Sequence, residues 1–496
     1  MGSQISLRKT GMVVFGARIA SIFTGLVFLV MMTRALSAQQ FGLYEVITDV
    51  VAFSAYPAGL VAFWATRDIA RERMFGKTAI TMSMLMSALG IAIYVALSYL
   101  SSARVAPGDL GTLVFAAVLV PASYLNQAAN SVVAGHKPVV LGYAVIFSEA
   151  SKLAVAFPLI VVYKVGIDGV ILAVLAANLA QGISSALLAG DALANPVSLG
   201  QGRRWLAHSW LPMLTTLPLI LSVADTFIAS LAASGTVLVG HYQAAFSVAT
   251  LAGYSLYLAS ATYPLLLKGG GDHVASMTLD LTLAFGIPMA VGAAVLATPI
   301  LHILNAQYAD ASTAMGILAF AALSFTVSSV FDQVLLGRDR VDVDESARFG
   351  DYLRSSILFV AKTNIAVGVV YLSLVYVSVA GGLSLGLPTR SILDAWAVAQ
   401  LSIFLLAILV KSRRVRKTTK IVVPSAIGHY ALGALGMAAA VYLLEPLVTY
   451  GRGTYLLAFQ LALIGGAGVL VYAGLVLGMD RELREFARRA LRETLA

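Results

Sequence analysis

Read from the N-terminus, the chain alternates long apolar runs with short polar breaks. A run of about 20 mainly apolar residues makes a helix long enough to cross the hydrocarbon layer of a bilayer. Fourteen such runs can be drawn, at 11–33, 41–66, 78–100, 110–135, 139–163, 167–190, 206–233, 238–268, 277–304, 308–337, 355–383, 392–411, 425–450 and 454–478. The pattern predicts an all-α integral membrane protein with about 14 transmembrane helices.

Composition agrees. The 496 residues are 59% hydrophobic and only 11% charged, where soluble domains carry roughly 25% charged residues. The first apolar run is too long for the core of a cleavable signal and long enough to span. The net charge of +9 would suit nucleic acid if the basic residues were clustered, but their placement follows the membrane. With the N-terminus inside, the segments expected on the cytoplasmic face carry 25 of the 33 lysines and arginines. The outer loops carry five: Arg34, Arg104, Lys164, Arg390 and Arg452. The other three, Arg18, Lys152 and Lys362, fall inside helices. One missed span would invert every later loop, so this bias predicts a multi-pass protein of the cell (inner) membrane with both termini cytoplasmic. Nucleic acid is not an expected partner; membrane lipid is.

Several chemistries are excluded. The chain has no cysteine, hence no disulfide or thiolate site. Its six histidines are scattered without metal-ligand spacing, and Gly269–Gly271 has no phosphate-binding loop around it. No metal and no cofactor are expected. No outer loop exceeds about a dozen residues, which argues against a membrane glycosyltransferase or polymerase with an outer catalytic domain.

A short repeat organises the chain. "FGLYEVITDVVAF" begins at Phe41 and "VGHYQAAFSVATL" at Val239, so that Gly42 and Tyr44 correspond to Gly240 and Tyr242. Each copy opens the second helix of a six-helix set and is reached from outside, which makes a parallel repeat. The predicted organisation is an N-lobe at 1–190, a cytoplasmic linker at 191–205, a C-lobe at 206–411, two further helices at 412–478 and a cytoplasmic tail at 479–496. The tail has apolar residues at helical spacing among arginines. It reads equally as an amphipathic helix on the inner membrane surface or as a solvated helix.

"TRALSAQQFGLYEV" resembles the helix 1–2 signature of the polysaccharide-transporter (Wzx-like) flippases, within the MOP superfamily that also holds the MATE drug exporters and the lipid II flippase. "LPMLTTLPLILSVADTFIASL", followed by the stretch from Val239 through Pro264, resembles helices 7 and 8 of that family, with Asp225 matching a family position. The stretch from Ala284 to Phe325, with Pro288, Pro299 and the Tyr308–Ala309 turn, resembles its helices 9 and 10. The resemblance covers roughly residues 5 to 470. It implies two six-helix lobes around a central cavity, and export of a lipid-linked oligosaccharide on a polyprenyl-phosphate-type carrier by alternating access. Glycan-biosynthesis proteins would be neighbours. A MATE-like cation-coupled drug antiporter is the alternative.

Ionisable groups inside a membrane are costly and mark functional sites or internal pairs. Three cations are candidate substrate contacts. Arg18 lies about 10 Å in from the cytoplasmic end of its helix, on a stripe with Ser21 and Gly25. It either meets a phosphate, which a guanidinium binds bidentately, or snorkels to the interface or pairs within the bundle. The family's basic position falls near Ile22, one turn later, which is apolar here. Lys152 has Glu149 three residues before it, as a self-contained pair or a responsive one. Lys362 is level with Asp332, and a bridge between them is expected. Asp49, Glu149 and Asp225 are candidate proton or sodium sites. Asp280, at a helix end, is expected to be solvated. Polar stripes at i, i+3/i+4 and i+7 run along the fourth helix (Ser123, Asn126, Gln127, Asn130) and the sixth (Asn178, Gln181, Ser185). They suit sugar hydroxyls or interhelical hydrogen bonds. Pro212, Pro218, Pro264, Pro288 and Pro299 supply bends in the second lobe.

Overall fold

The structure is a computed structural model and describes residues 7–259, 266, 271–339, 341, 354–418, 426–450, 453–480 and 484–485. Pro264 and most of the 479–496 tail lie outside the described residues. The chain is all-α, with no strand among the described residues, and it is a multi-pass membrane protein. Among the described residues, thirteen helices are long and apolar enough to cross a bilayer. The eighth expected span begins as Val237–Ala249 and continues in a 3-10 turn at Thr250–Ala259, and its remainder falls largely outside the described residues.

The described chain divides into two compact units, 1–240 and 241–496. The first holds α1 (Leu7–Ala35), α2 (Ala38–Ala70), α3 (Gly76–Arg104), α4 (Leu110–His136), α5 (Val139–Val162), α6 (Ile167–Leu193), a short α7 (Leu199–Ala207), α8 (Trp210–Ser222) and α9 (Asp225–Ala233). α10 (Val237–Ala249) starts within it. Local chemistry explains the boundaries. Ser37 caps α2: its hydroxyl accepts the Gln40 N–H, and the Gln40 side chain accepts the Ser37 N–H, each at 3.2 Å, so two orphan donors are satisfied reciprocally. In α4 a 3-10 turn at Ala116–Val118 sits one turn before Pro121, whose ring removes the bond to the carbonyl four residues back. The expected span at 206–233 is not one helix. α8, which contains Pro218, stops at Ser222, and α9 restarts at Asp225.

Within this unit α6 packs on α4 and α5, α4 on α2, and α1 on α5. The part of the linker at α7 is anchored rather than free. Ser198 caps it and donates its own N–H to Thr78 Oγ1 at 2.9 Å. The Asp68 carboxylate at the end of α2 accepts from Gln201 Nε2 at 2.7 Å and from the buried Trp205 Nε1 at 2.8 Å. A hydrogen bond to a charged acceptor contributes about 1.5–3 kcal/mol. Trp205→Phe keeps the ring but loses this donor, so we expect it to lower stability by about that amount in a reversible unfolding titration in detergent.

The second unit holds most of α10 and then α11 (Asp272–Val295), α12 (Ala297–Leu304), α13 (Ser312–Arg338), α14 (Ser356–Ser384), α15 (Thr389–Thr418), α16 (Ile427–Leu444) and α17 (Thr454–Met479). α15 packs between α13 and α14, and α11 packs on α13. α16 and α17 pair and rest on α11. Asp280, expected to be solvated, instead accepts the hydroxyl of the buried Tyr430 of α16 at 2.9 Å, and Tyr472 of α17 donates to the Ala284 carbonyl. Tyrosine hydroxyls thus tie the two terminal helices to this unit.

Candidate functional site

The polar stripes of α4 and α6 face each other in the first unit. Asn130 Nδ2 donates to Asn126 Oδ1 at 2.7 Å. Asn126 Nδ2 donates to Asn178 Oδ1 at 2.9 Å and to Gln181 Oε1 at 3.4 Å. Ser185 Oγ donates to Asn130 Oδ1 at 2.9 Å. The internal reading is therefore true of Asn126 and Asn178, which spend much of their capacity between the helices. Gln127 makes no hydrogen bond among the described residues.

Beside this ladder lies a cavity of about 420 Å³, lined by Arg18 of α1, Ala62 of α2, Gln127, Asn130 and Ser131 of α4, Gly142 of α5 and Gln181 of α6. α1 reaches it because Gly142 lets the two backbones approach: a Cβ there would lie 2.9 Å from Val13 Cγ1 and 3.1 Å from the Val13 carbonyl oxygen. Arg18 is exposed and forms no ion pair among the described residues. A guanidinium and several side-chain amides therefore share one concave wall. Such a set donates to phosphate oxygens and exchanges hydrogen bonds with hydroxyls.

The other two cations stand elsewhere. Lys152 pairs with Glu149 at 2.7 Å, and its ammonium sits 5.3 Å from the Phe28 ring centre. Glu149 also accepts from Ser21 Oγ at 3.1 Å and Thr24 Oγ1 at 2.5 Å. The pair is thus a staple between α5 and α1, and neither side chain lines the cavity. The expected Asp332–Lys362 bridge does not form. Asp332 accepts from Lys411 Nζ at 2.7 Å and from Asn364 Nδ2 at 3.1 Å, and Lys411 also donates to Ser328 Oγ at 2.8 Å. Lys362 is exposed. Lys411, the last residue of the expected span at 392–411, is only 2% exposed, because α15 continues to Thr418. Its level with Asp332 at the cytoplasmic ends of two helices was the signal that could have found it.

Asp49 and Asp225, far apart in sequence, come together. Both carboxylates are buried, and each interacts electrostatically with the other and with Glu45. Asp49 accepts the backbone N–H of Phe227 in the first turn of α9, a favourable place for a negative charge. Glu149, the third candidate ion site, belongs instead to the Lys152 staple. Like charges packed this closely repel, which is the property an ion-coupled step would use.

The second unit contains a larger cavity, about 750 Å³, among α10, α11, α16 and α17. Pro288, Met289, Met437, Val469 and Val476 are among its walls. Its one tyrosine hydroxyl, on Tyr472, is already bonded. It suits hydrocarbon rather than a polar headgroup.

By sequence the chain matches no family profile and no curated protein. Solved structures do match. The lipid II flippase MurJ, in an inward closed conformation, aligns at TM-score 0.61 and 16% identity over 96% of this chain and 99% of its own. An inward-facing MATE multidrug resistance transporter aligns at 0.58 and 14%, over 81% and 96% of the two chains. Its outward-facing counterpart aligns at 0.55 and 13%, over 83% and 96%. The chain shares the fold of these three structures.

Proposed function

We propose that the chain is a flippase that carries a lipid-linked oligosaccharide from the cytoplasmic to the outer leaflet by alternating access. The observation that carries this reading is the Arg18 guanidinium, without a counter-charge among the described residues, in an amide-lined cavity within the membrane. A carrier phosphate would meet Arg18, and sugar hydroxyls would meet Gln127, Asn130 and Gln181. The lipid tail would stay in hydrocarbon, for which the apolar cavity on α11, α16 and α17 is suited. The arginine also favours anionic cargo over the cationic drugs of the alternative, a MATE-like antiporter. By the loop charges, both termini lie in the cytoplasm of a cell whose inner membrane holds the protein, and glycan-biosynthesis proteins supply the cargo. Asp49 and Asp225 are the proposed proton or sodium sites. An inside-negative potential helps an anion outward by about 2.3 kcal/mol per charge per 100 mV.

The test replaces Arg18 by alanine and by lysine and measures surface glycan at matched protein levels. A charge-assisted hydrogen bond of about 1.5–3 kcal/mol corresponds to roughly a tenfold loss or more for Arg18→Ala. Arg18→Lys should fall between, since it keeps the charge and loses the fork. Native glycan levels in both variants would sink the substrate contact.

A further inference from the structure

The repeated Gly-x-Tyr stretches do more than mark equivalent helices. A Cβ on Gly42 would lie 1.9 Å from the carbonyl oxygen of Thr236 and 2.8 Å from the nitrogen of Gly240. A Cβ on Gly240 would lie 2.0 Å from the carbonyl oxygen of Ala38. Each glycine thus abuts the carbonyl four residues before the other glycine. The contact is reciprocal, as expected where two copies of one element meet across a local two-fold axis. Thr236 Oγ1 closes one side by donating to the Gln39 carbonyl at 2.8 Å, and Phe41, Val239 and Thr236 are buried around the crossing. No side chain other than hydrogen fits, so the start of α2 and the start of α10 meet backbone to backbone, the close approach that small residues permit between membrane helices. Two turns deeper, Asp49 holds the first turn of α9.

We propose that this glycine crossing is the outer gate of the transporter, a dry seam that must part before the Arg18 cavity can open to the outside. The inference rests on the alternating-access reading above and on the topology that places both helix starts at the outer face. It explains why the two glycines recur at matching places in the repeat: the seam seals only if both partners lack a Cβ. Carbonyls facing Cα hydrogens form weak contacts, so the two backbones are held weakly at the glycines themselves, beside the Thr236 hydrogen bond.

The chain has no cysteine, so a single reporter thiol needs no background removal. Ala134→Cys places one in the cavity wall. Labelling of intact cells with a membrane-impermeant maleimide then reads outward exposure without any substrate. Gly42→Ala and Gly240→Ala should each raise that labelling by about tenfold, one decade for each 1.4 kcal/mol taken from the closed state. Gly59→Ala, at an α2 position with nothing within 4 Å of an added Cβ, should leave it unchanged. No rise in either gate variant overturns the proposal. Should alanine prevent folding, the pair Gln39→Cys and Thr236→Cys, joined by a short reducible bifunctional thiol reagent, provides the second arm. Joined protein should block outer labelling and glycan export until the cross-link is reduced; export at the native rate while joined overturns the gate. If the labelling behaves as stated but glycan export never depends on the protein, the substrate reading fails and the gate stands.

Discussion

Lys411→Ala is expected to destabilise the protein by about 3–5 kcal/mol, the usual effect of removing one partner of a buried pair. Lys411 is 2% exposed and donates to both Asp332 and Ser328. Its loss leaves the Asp332 carboxylate among α13, α14 and α15 with only the Asn364 amide beside it. Asp332 already has one oxygen without a hydrogen bond, so no spare donor waits to compensate. The asymmetry between breaking and replacing the pair supplies the check. Lys411→Met combined with Asp332→Leu removes both charges and should recover most of the loss, since well-packed apolar residues replace buried pairs at little cost. Reversible unfolding in detergent, read on both variants, measures the difference. A single variant as stable as the native protein would show that the pair contributes nothing. A double variant no better than the single would show that packing, rather than an orphaned charge, is what Lys411 provides.

That pair also shows where the sequence was legible and where it was not. Span number follows from the bilayer itself, which requires about 20 apolar residues per crossing, and among the described residues thirteen of the fourteen expected runs hold a helix long and apolar enough to cross. Hydropathy, however, reports where lipid ends and not where a helix ends. The expected span ends at Lys411, yet α15 continues to Thr418 and turns Lys411 into the bundle. Lys362 failed in the opposite way. Its helix is apolar on every face, so periodicity does not say which side meets neighbours, and the lysine is exposed. The stripes of α4 and α6 could be read because amides at i, i+4 stand out against apolar neighbours, as Asn126 and Asn130 do. The meeting of Asp49 with Asp225 had no such signal. Each stands out as an acid inside an apolar run, but which helices touch is decided by packing across nearly two hundred residues of chain. The same holds for Gly42 and Gly240, whose correspondence was visible and whose contact was not.

Glu149→Ala is expected to cost a further large amount, again about 3–5 kcal/mol, because it strands the Lys152 ammonium in the bundle. Both side chains are about 15% exposed and lie 2.7 Å apart. The loss extends to α1, where Ser21 and Thr24 both donate to the same carboxylate. The double variant, Glu149→Ala with Lys152→Leu, separates the two roles that an i, i+3 acid–base pair can have. If the pair only fastens α1 to α5, removing both charges restores most of the stability. On the proposed function, glycan export then returns close to the native level, since neither residue lines the Arg18 cavity. If the pair responds to a proton or to cargo, stability returns and export does not. The geometry favours the first outcome: Glu149 has three partners, Lys152 rests on the Phe28 ring, and the open polar surface belongs to Arg18 and the amides opposite it. Unfolding titrations and surface glycan, measured on the same two variants at matched protein levels, distinguish these outcomes. Recovered stability with lost export would place Lys152 and Glu149 back among the groups that move cargo.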